Sequence, residues 1–332
     1  MSLPETPAEP DEPDRPDGPA GPDRAPPPAP RPGVRGIPDR CAPSAERRGD
    51  QLPGSAAPAR RWLLVEQPGA WGGDALHESN LDSAVAGALA TRAAAAGIRV
   101  LLIRRPGRSA PAPARRWAYV DSAPGQEGVW WGGYTEHREL LELPLDRAPD
   151  ARRSAEPVYL VCTHGSHDAC CAIRGRTVAA ALAAVRPAAT WECSHVGGDR
   201  FAANVLVLPH GLYYGHVRPA QAAELALAYE QGRVVPARLR GRSALPAPAQ
   251  AAQHYARREL GEDRVDALAP RRVERLPGQR WRVTLDWPAG PVRVTVAAGR
   301  TPVPVRLTCE AHQPKTARVF SMVSFEPPEA LR

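Results

Sequence analysis

Four of the chain's six cysteines, Cys162, Cys170, Cys171 and Cys193, lie between positions 162 and 193, and His195, Gly197, Gly198 and Asp199 follow directly. Thiolates with an imidazole form a soft donor set of the kind that suits zinc or an iron–sulfur cluster. The glycine pair between His195 and Asp199 lets the chain turn tightly around whatever is bound. Dense clustering, with no export signal at the N-terminus, points to a site rather than to disulfide staples. Cys41 and Cys309 stand far from the group and read as isolated thiols.

The candidate ligands are Cys162, Cys171, Cys193, His195 and Asp199. On an extended segment Cys193 and His195, two residues apart, point to the same side, so the Cys193 thiol can supply the fourth bond. Asp199 offers a carboxylate oxygen, a harder donor than imidazole or thiolate. Both remain open as the fourth ligand. A closed set of Cys162, Cys171, Cys193 and His195 would also hold zinc, although its spacings are longer than those of short zinc knuckles. Cys170, beside Cys171, reads as a packing residue. His164 and His167 read either as solvent-exposed polar residues or as hydrogen-bond partners of the ligands, with the former favoured, Asp168 as the cap of the following turn and Gly175 as the end of that loop. Arg200 reads either as a donor to cluster sulfurs or as the partner of a surface acid.

These residues need elements to hold them. Arg61-Trp-Leu-Leu-Val-Glu66 predicts a strand, 82–96 a helix closed by Gly97, and 98–103 a second strand, which together make a βαβ-like unit. Shorter strands are expected at 117–120 and 129–131, with a helical turn or two over 136–142. The second half repeats the logic. A strand at 158–162 delivers Cys162 at its end, a helix spans 177–185, and a strand covers 190–193. An apolar run over 201–208 turns at Pro209-His-Gly211 into a hairpin with 212–215. A helix over 220–230 and a linker over 240–248 follow. Beyond them come a helix at 249–260, a hairpin of 280–287 with 291–296, and a third strand at 303–308.

The runs Cys162-Thr-His-Gly-Ser-His-Asp-Ala-Cys-Cys171, Trp191-Glu-Cys-Ser-His-Val-Gly-Gly-Asp-Arg-Phe-Ala-Ala-Asn204 and Leu208-Pro-His-Gly-Leu-Tyr-Tyr-Gly215 resemble the sucrase/ferredoxin-like family, closely over 158–217 and more loosely over 62–76. The resemblance implies an α/β (α+β) fold, a thioredoxin-like ferredoxin domain holding a 2Fe-2S cluster, with a second thioredoxin-like lobe before it. Cys162 and Cys171 match the family's first-loop cysteines, and His195 matches the first ligand of its Gly-Gly loop. Where bis-histidinyl members carry a second histidine, this chain has Asp199. A Rieske site is rejected, because Cys193-Ser-His195 has no matching Cys-X-X-His loop. Despite the family's name, no paired carboxylates can be placed for glycoside hydrolysis.

The function expected is therefore that of an electron carrier with mixed Cys/His ligation. The alternatives are a structural zinc protein and a thioredoxin-like thiol oxidoreductase; a Cys-X-X-Cys pair, which the last would want, is absent. No Gly-X-Gly-X-X-Gly fingerprint follows a strand, so a separate redox partner or reductase is implied. The net charge of +7 comes from arginines spread among acids. Without a basic stripe interleaved with aromatics, nucleic acid is not an expected partner. No apolar run long enough for a membrane occurs, and a cytoplasmic protein is expected. Three regions follow: a Pro-rich disordered tail over 1–57, the ferredoxin-like region over 58–240 with its cluster half at 157–235, and a small α+β segment over 249–332.

Overall fold

The computed structural model describes residues 40–107 and 114–331. The first element, α1 (Cys41–Arg48), lies inside the segment expected to be disordered. Residues 40–57 are thus not disordered, and most of the expected tail, 1–39, falls outside the described residues. Helix α1 is short and polar, but Cys41, Ala42 and Ala45 are buried, and Gly49 in the left-handed region ends it.

Strand β1 (Arg61–Glu66) carries four buried residues in a row, Trp62 to Val65, as a strand covered on both faces must. Helix α2 (Ser83–Ala95) is capped by Asp82, which accepts from the Val85 amide, and its chain returns as β2 (Ile98–Arg104), parallel to β1. Strands β3 (Arg115–Asp121) and β4 (Gly128–Tyr134) continue antiparallel on the other side of β1, giving the order β2-β1-β3-β4. The short β5 (Arg152–Ser154) forms the edge.

The same plan then recurs. Strand β6 (Val158–Cys162), helix α3 (Ala169–Val185) and the parallel strand β7 (Thr190–Cys193) are followed by β8 (Val205–Leu208) and β9 (Leu212–Tyr214) in the order β7-β6-β8-β9. Two lobes of thioredoxin-like topology, as the resemblance implied, thus share one sheet. They meet where β2 and β7 run antiparallel, Ile103 opposite Cys193 and Arg104 opposite Glu192. Just past β7, Ser194 bonds Leu102 through both its amide and its hydroxyl. Helix α4 (Ala222–Glu230) packs on α3, and β10 (Leu239–Arg242) completes a ten-stranded sheet beside β9.

Helix α5 (Ala247–Leu260) covers a four-stranded antiparallel sheet of β11 (Ala269–Leu276), β12 (Arg280–Asp286), β13 (Val292–Arg300) and β14 (Arg318–Glu326). Val283, Leu285, Val292, Val294 and Val296 fill the space between them.

Three expectations need correction. The segment 240–248 is no linker: β10 is fully buried, with Arg240 and Arg242 inside the protein, and α5 starts at Ala247. Residues 303–308 form no strand, only an isolated bridge of Val305 with Lys315; β11 and β14 flank the predicted hairpin instead. Helix α3 begins at Ala169 rather than 177, because Asp168 accepts from the Cys170 amide at 2.8 Å and caps it. The expected capping by Asp168 is thus present, but Gly175 lies within the helix and ends no loop.

Candidate metal centre

Cys162 is the last residue of β6, and Cys171 lies in the first turn of α3, so a strand end and a helix start bring both thiols to one place. The approach is close because residue 175 is glycine: a Cβ there would stand 2.1 Å from the Cys162 carbonyl oxygen. The Gly-Gly loop after β7 supplies the opposite wall. Gly197 and Gly198 both adopt the left-handed region, and a Cβ on Gly198 would meet the Arg240 guanidinium at 2.4 Å. Arg240 is fully buried and fixes the loop by donating to the Gly197 carbonyl at 2.8 Å and to Asn204 Oδ1 at 2.7 Å. Burial lowers its pKa to about 10, which keeps it charged at neutral pH. Sequence reading passed over this arginine because it falls in the presumed linker; a charged residue flanked by apolar Leu239 and Gly241 was its only signal.

Asp199 lies against both Cys171 and His195, and Cys162 lies beside Cys171 and His195. Cys171 Sγ lies 3.2 Å from Asp199 Oδ1, and His195 Nδ1 lies 3.0 Å from the same oxygen. Cys162 accepts hydrogen bonds from Cys171 and His195, which hold its thiol well below the ordinary range against the opposing effect of burial. The shared proton pushes Cys171 up, and burial adds to this. Burial alone would lower His195, but attraction to Asp199 and Cys162 prevails and raises it to about 9. Burial likewise opposes the charge on Asp199, yet the contact with His195 holds its pKa down.

Cys193 lies next to these residues but has no contact with Asp199 among the hydrogen bonds and ion pairs of the described residues. It sits on β7 beside Cys162 on β6, fully buried in the apolar core with Trp62, Ile103 and Trp191. Burial, with the charges of Cys162 and Glu192, pushes its thiol well up against the pull of Arg99. The potential ligand atoms of His167, His195 and Asp199 all lie within 4.8 Å of one another, a group that contains none of the cysteines.

Of the two flanking histidines, His164 is buried rather than solvent-exposed, while His167 is partly exposed. His164 is 2 % exposed, with Nε2 2.6 Å from the Gly72 carbonyl oxygen and Trp71 edge-on to its ring. His167 lies over His195 with ring centroids 3.7 Å apart, and its Nε2 is 3.6 Å from Asp199 Oδ2. Arg200 pairs with an acid, Asp50, whose carboxylate is buried, at 3.3 Å. Cys170 does more than pack, because its Sγ faces Cys309 at 3.4 Å. The Gly-rich loop of the first lobe closes over this region: Gly73 to Leu76, with His164, His167 and His195, line a cavity of about 300 Å³. The His195 side chain is 26 % exposed there, whereas both cysteines are buried.

A family model described as sucrase/ferredoxin-like matches residues 52–241. The chain belongs to the sucrase/ferredoxin-like family. Comparison with curated proteins and with solved structures gives no match. The matched span contains both lobes and every candidate ligand. Among the described residues no helix is long and apolar enough to cross a membrane.

Proposed function

We propose that the chain is an electron-transfer protein carrying a 2Fe-2S cluster on Cys162, Cys171, His195 and Asp199. The observation that carries this reading is the two-plus-two arrangement of donors. Two thiols from β6 and α3 face an imidazole and a carboxylate from a single loop, with Asp199 touching both Cys171 and His195. A two-iron cluster takes two protein ligands on each iron, so this donor set fits it in number and in chemistry. When bound, the cluster supplies one-electron chemistry.

The chain's own residues do the rest. Cys162 and Cys171 provide buried thiolates in a dry setting, and Arg240 keeps the Gly-Gly loop in place. His195 presents a ring edge at the cavity under the first lobe, where a redox partner such as a separate reductase would approach. Imidazole in place of thiolate raises the potential relative to an all-cysteine site. Asp199 restores one negative charge, so the potential should fall below that of a site with two neutral imidazoles. Asp199 rather than Cys193 is taken as the fourth ligand, because its carboxylate lies 3.2 Å from Cys171 Sγ and 3.0 Å from His195 Nδ1.

The test is anaerobic purification with iron and sulfide analysis and visible and EPR spectra. Equal iron and acid-labile sulfide are expected, with the spectrum abolished in Asp199→Ala and kept in Cys193→Ala. A colourless protein whose only metal is held by Cys162 and Cys171 as zinc would overturn the reading.

A further inference from the structure

Away from the cluster, three cysteines that are remote in sequence converge. Cys41 opens α1, Cys170 lies in the first turn of α3, and Cys309 belongs to the loop between β13 and β14. Cys309 Sγ stands 3.4 Å from Cys170 Sγ and 3.5 Å from Cys41 Sγ, and Cys41 Sγ stands 3.6 Å from Asp168 Oδ2. The four donor atoms all lie within 4.8 Å of one another.

We infer that Cys41, Cys170, Cys309 and Asp168 form a second metal site, a structural zinc centre distinct from the cluster. Geometry selects the metal. With Zn–S of about 2.3 Å and Zn–O of about 2.0 Å, a tetrahedron has S···S edges of roughly 3.7 Å and S···O edges of roughly 3.5 Å. The observed edges match these within a few tenths of an ångström. A disulfide would bring two sulfurs to about 2.05 Å and leave the third thiol stranded. Asp168 is held for the role: Oδ1 accepts from the Cys170 amide at 2.8 Å and Oδ2 from the Cys309 amide at 2.6 Å. Each oxygen keeps a lone pair for a metal. Four protein ligands close the coordination sphere, which is the mark of a structural rather than a catalytic zinc.

The centre staples α1 and the β13–β14 loop to the start of α3. Cys170 and Cys171 are neighbours on that helix and serve different centres, so zinc also steadies the turn that presents Cys171. The full chain should bind one zinc that Cys309→Ser and Cys41→Ser each reduce by tenfold or more, while the visible spectrum persists. X-ray absorption at the zinc edge of the unmutated protein reads the site without any variant, and three sulfur neighbours are expected. Fewer than three sulfurs, full zinc in both variants, or no zinc after exposure of the chain to zinc would overturn the site. Loss of zinc in Cys162→Ser instead would place the metal at the first centre, and so would also overturn it.

Discussion

His216 follows Gly215 at the end of the motif-bearing region, and its ring is buried with neither nitrogen hydrogen-bonded. Burial lowers its pKa to about 4, even though Glu46 nearby favours the charged form and Arg174 opposes it. The unfolded chain protonates this histidine near pH 6.5, so it binds more protons than the fold between pH 6.5 and 4. Stability from this residue is therefore complete above about pH 6.5 and falls as the pH drops toward 4, by about 2 kcal/mol at pH 5. His216→Asn, which tolerates the positive φ of 52° here, should remove most of that loss in urea titrations at pH 7.5 and 5. An equal pH dependence in both proteins would refute the assignment. At this scale the sequence was informative about identity but not about placement. Cys162, Cys171 and His195 were legible from residue type and motif. The proximity of Asp199 to Cys171 and His195 was not, since it depends on how the loop after β7 folds back through Gly197, Gly198 and the remote Arg240. Cys41 and Cys309 looked isolated for the same reason, because 268 positions separate two thiols whose sulfurs stand 3.5 Å apart.

Helix α3 carries Cys170 and Cys171, one from each proposed centre, and its packing on β6 decides whether Cys162 and Cys171 meet. Periodic strands and alanine-rich helices made most elements legible: β1, α2, β2, β6, β7 and the β12–β13 hairpin all fall near their expected positions. The start of α3 was missed because Cys170, Cys171 and Gly175 resemble a loop in isolation, while the cap at Asp168 and the contact with Cys162 make them helical. Gly175 offers a sign test. In an exposed helix interior, glycine to alanine gains about 1 kcal/mol. Here the new Cβ would meet the backbone oxygen of Cys162 at 2.1 Å, and a backbone atom at a strand end cannot move cheaply. Overpacking of this kind typically costs about 1–3 kcal/mol. Gly175→Ala should therefore destabilise the protein in denaturant titrations and weaken retention of the visible chromophore; a stabilised variant would contradict the packing described.

The two lobes repeat one topology, yet they are not independent units. Backbone pairing at their seam is thin, limited to the ends of β2 and β7. The coupling comes from apolar burial instead. One core cluster draws Trp62, Leu64, Leu101 and Ile103 from the first lobe and Leu160, Trp191, Leu206 and Tyr213 from the second, and Trp131 stacks on Trp191 across the seam at 5.6 Å. Each large side chain buried there is worth about 1.5–3 kcal/mol, so exposing even half of them would consume much of the roughly 5–15 kcal/mol by which a domain is stable. Parting the lobes would uncover these faces, and neither lobe could compensate alone. Hydrogen exchange in rising denaturant should thus find the central strand of the first lobe, β1, and that of the second, β6, opening in one cooperative step. Opening of β1 at clearly lower denaturant than β6 would mean that the first lobe is a separate folding unit. The cavity beside His195, roofed by the Gly73–Leu76 loop, would then be able to lose its cover without unfolding the proposed ligands beneath.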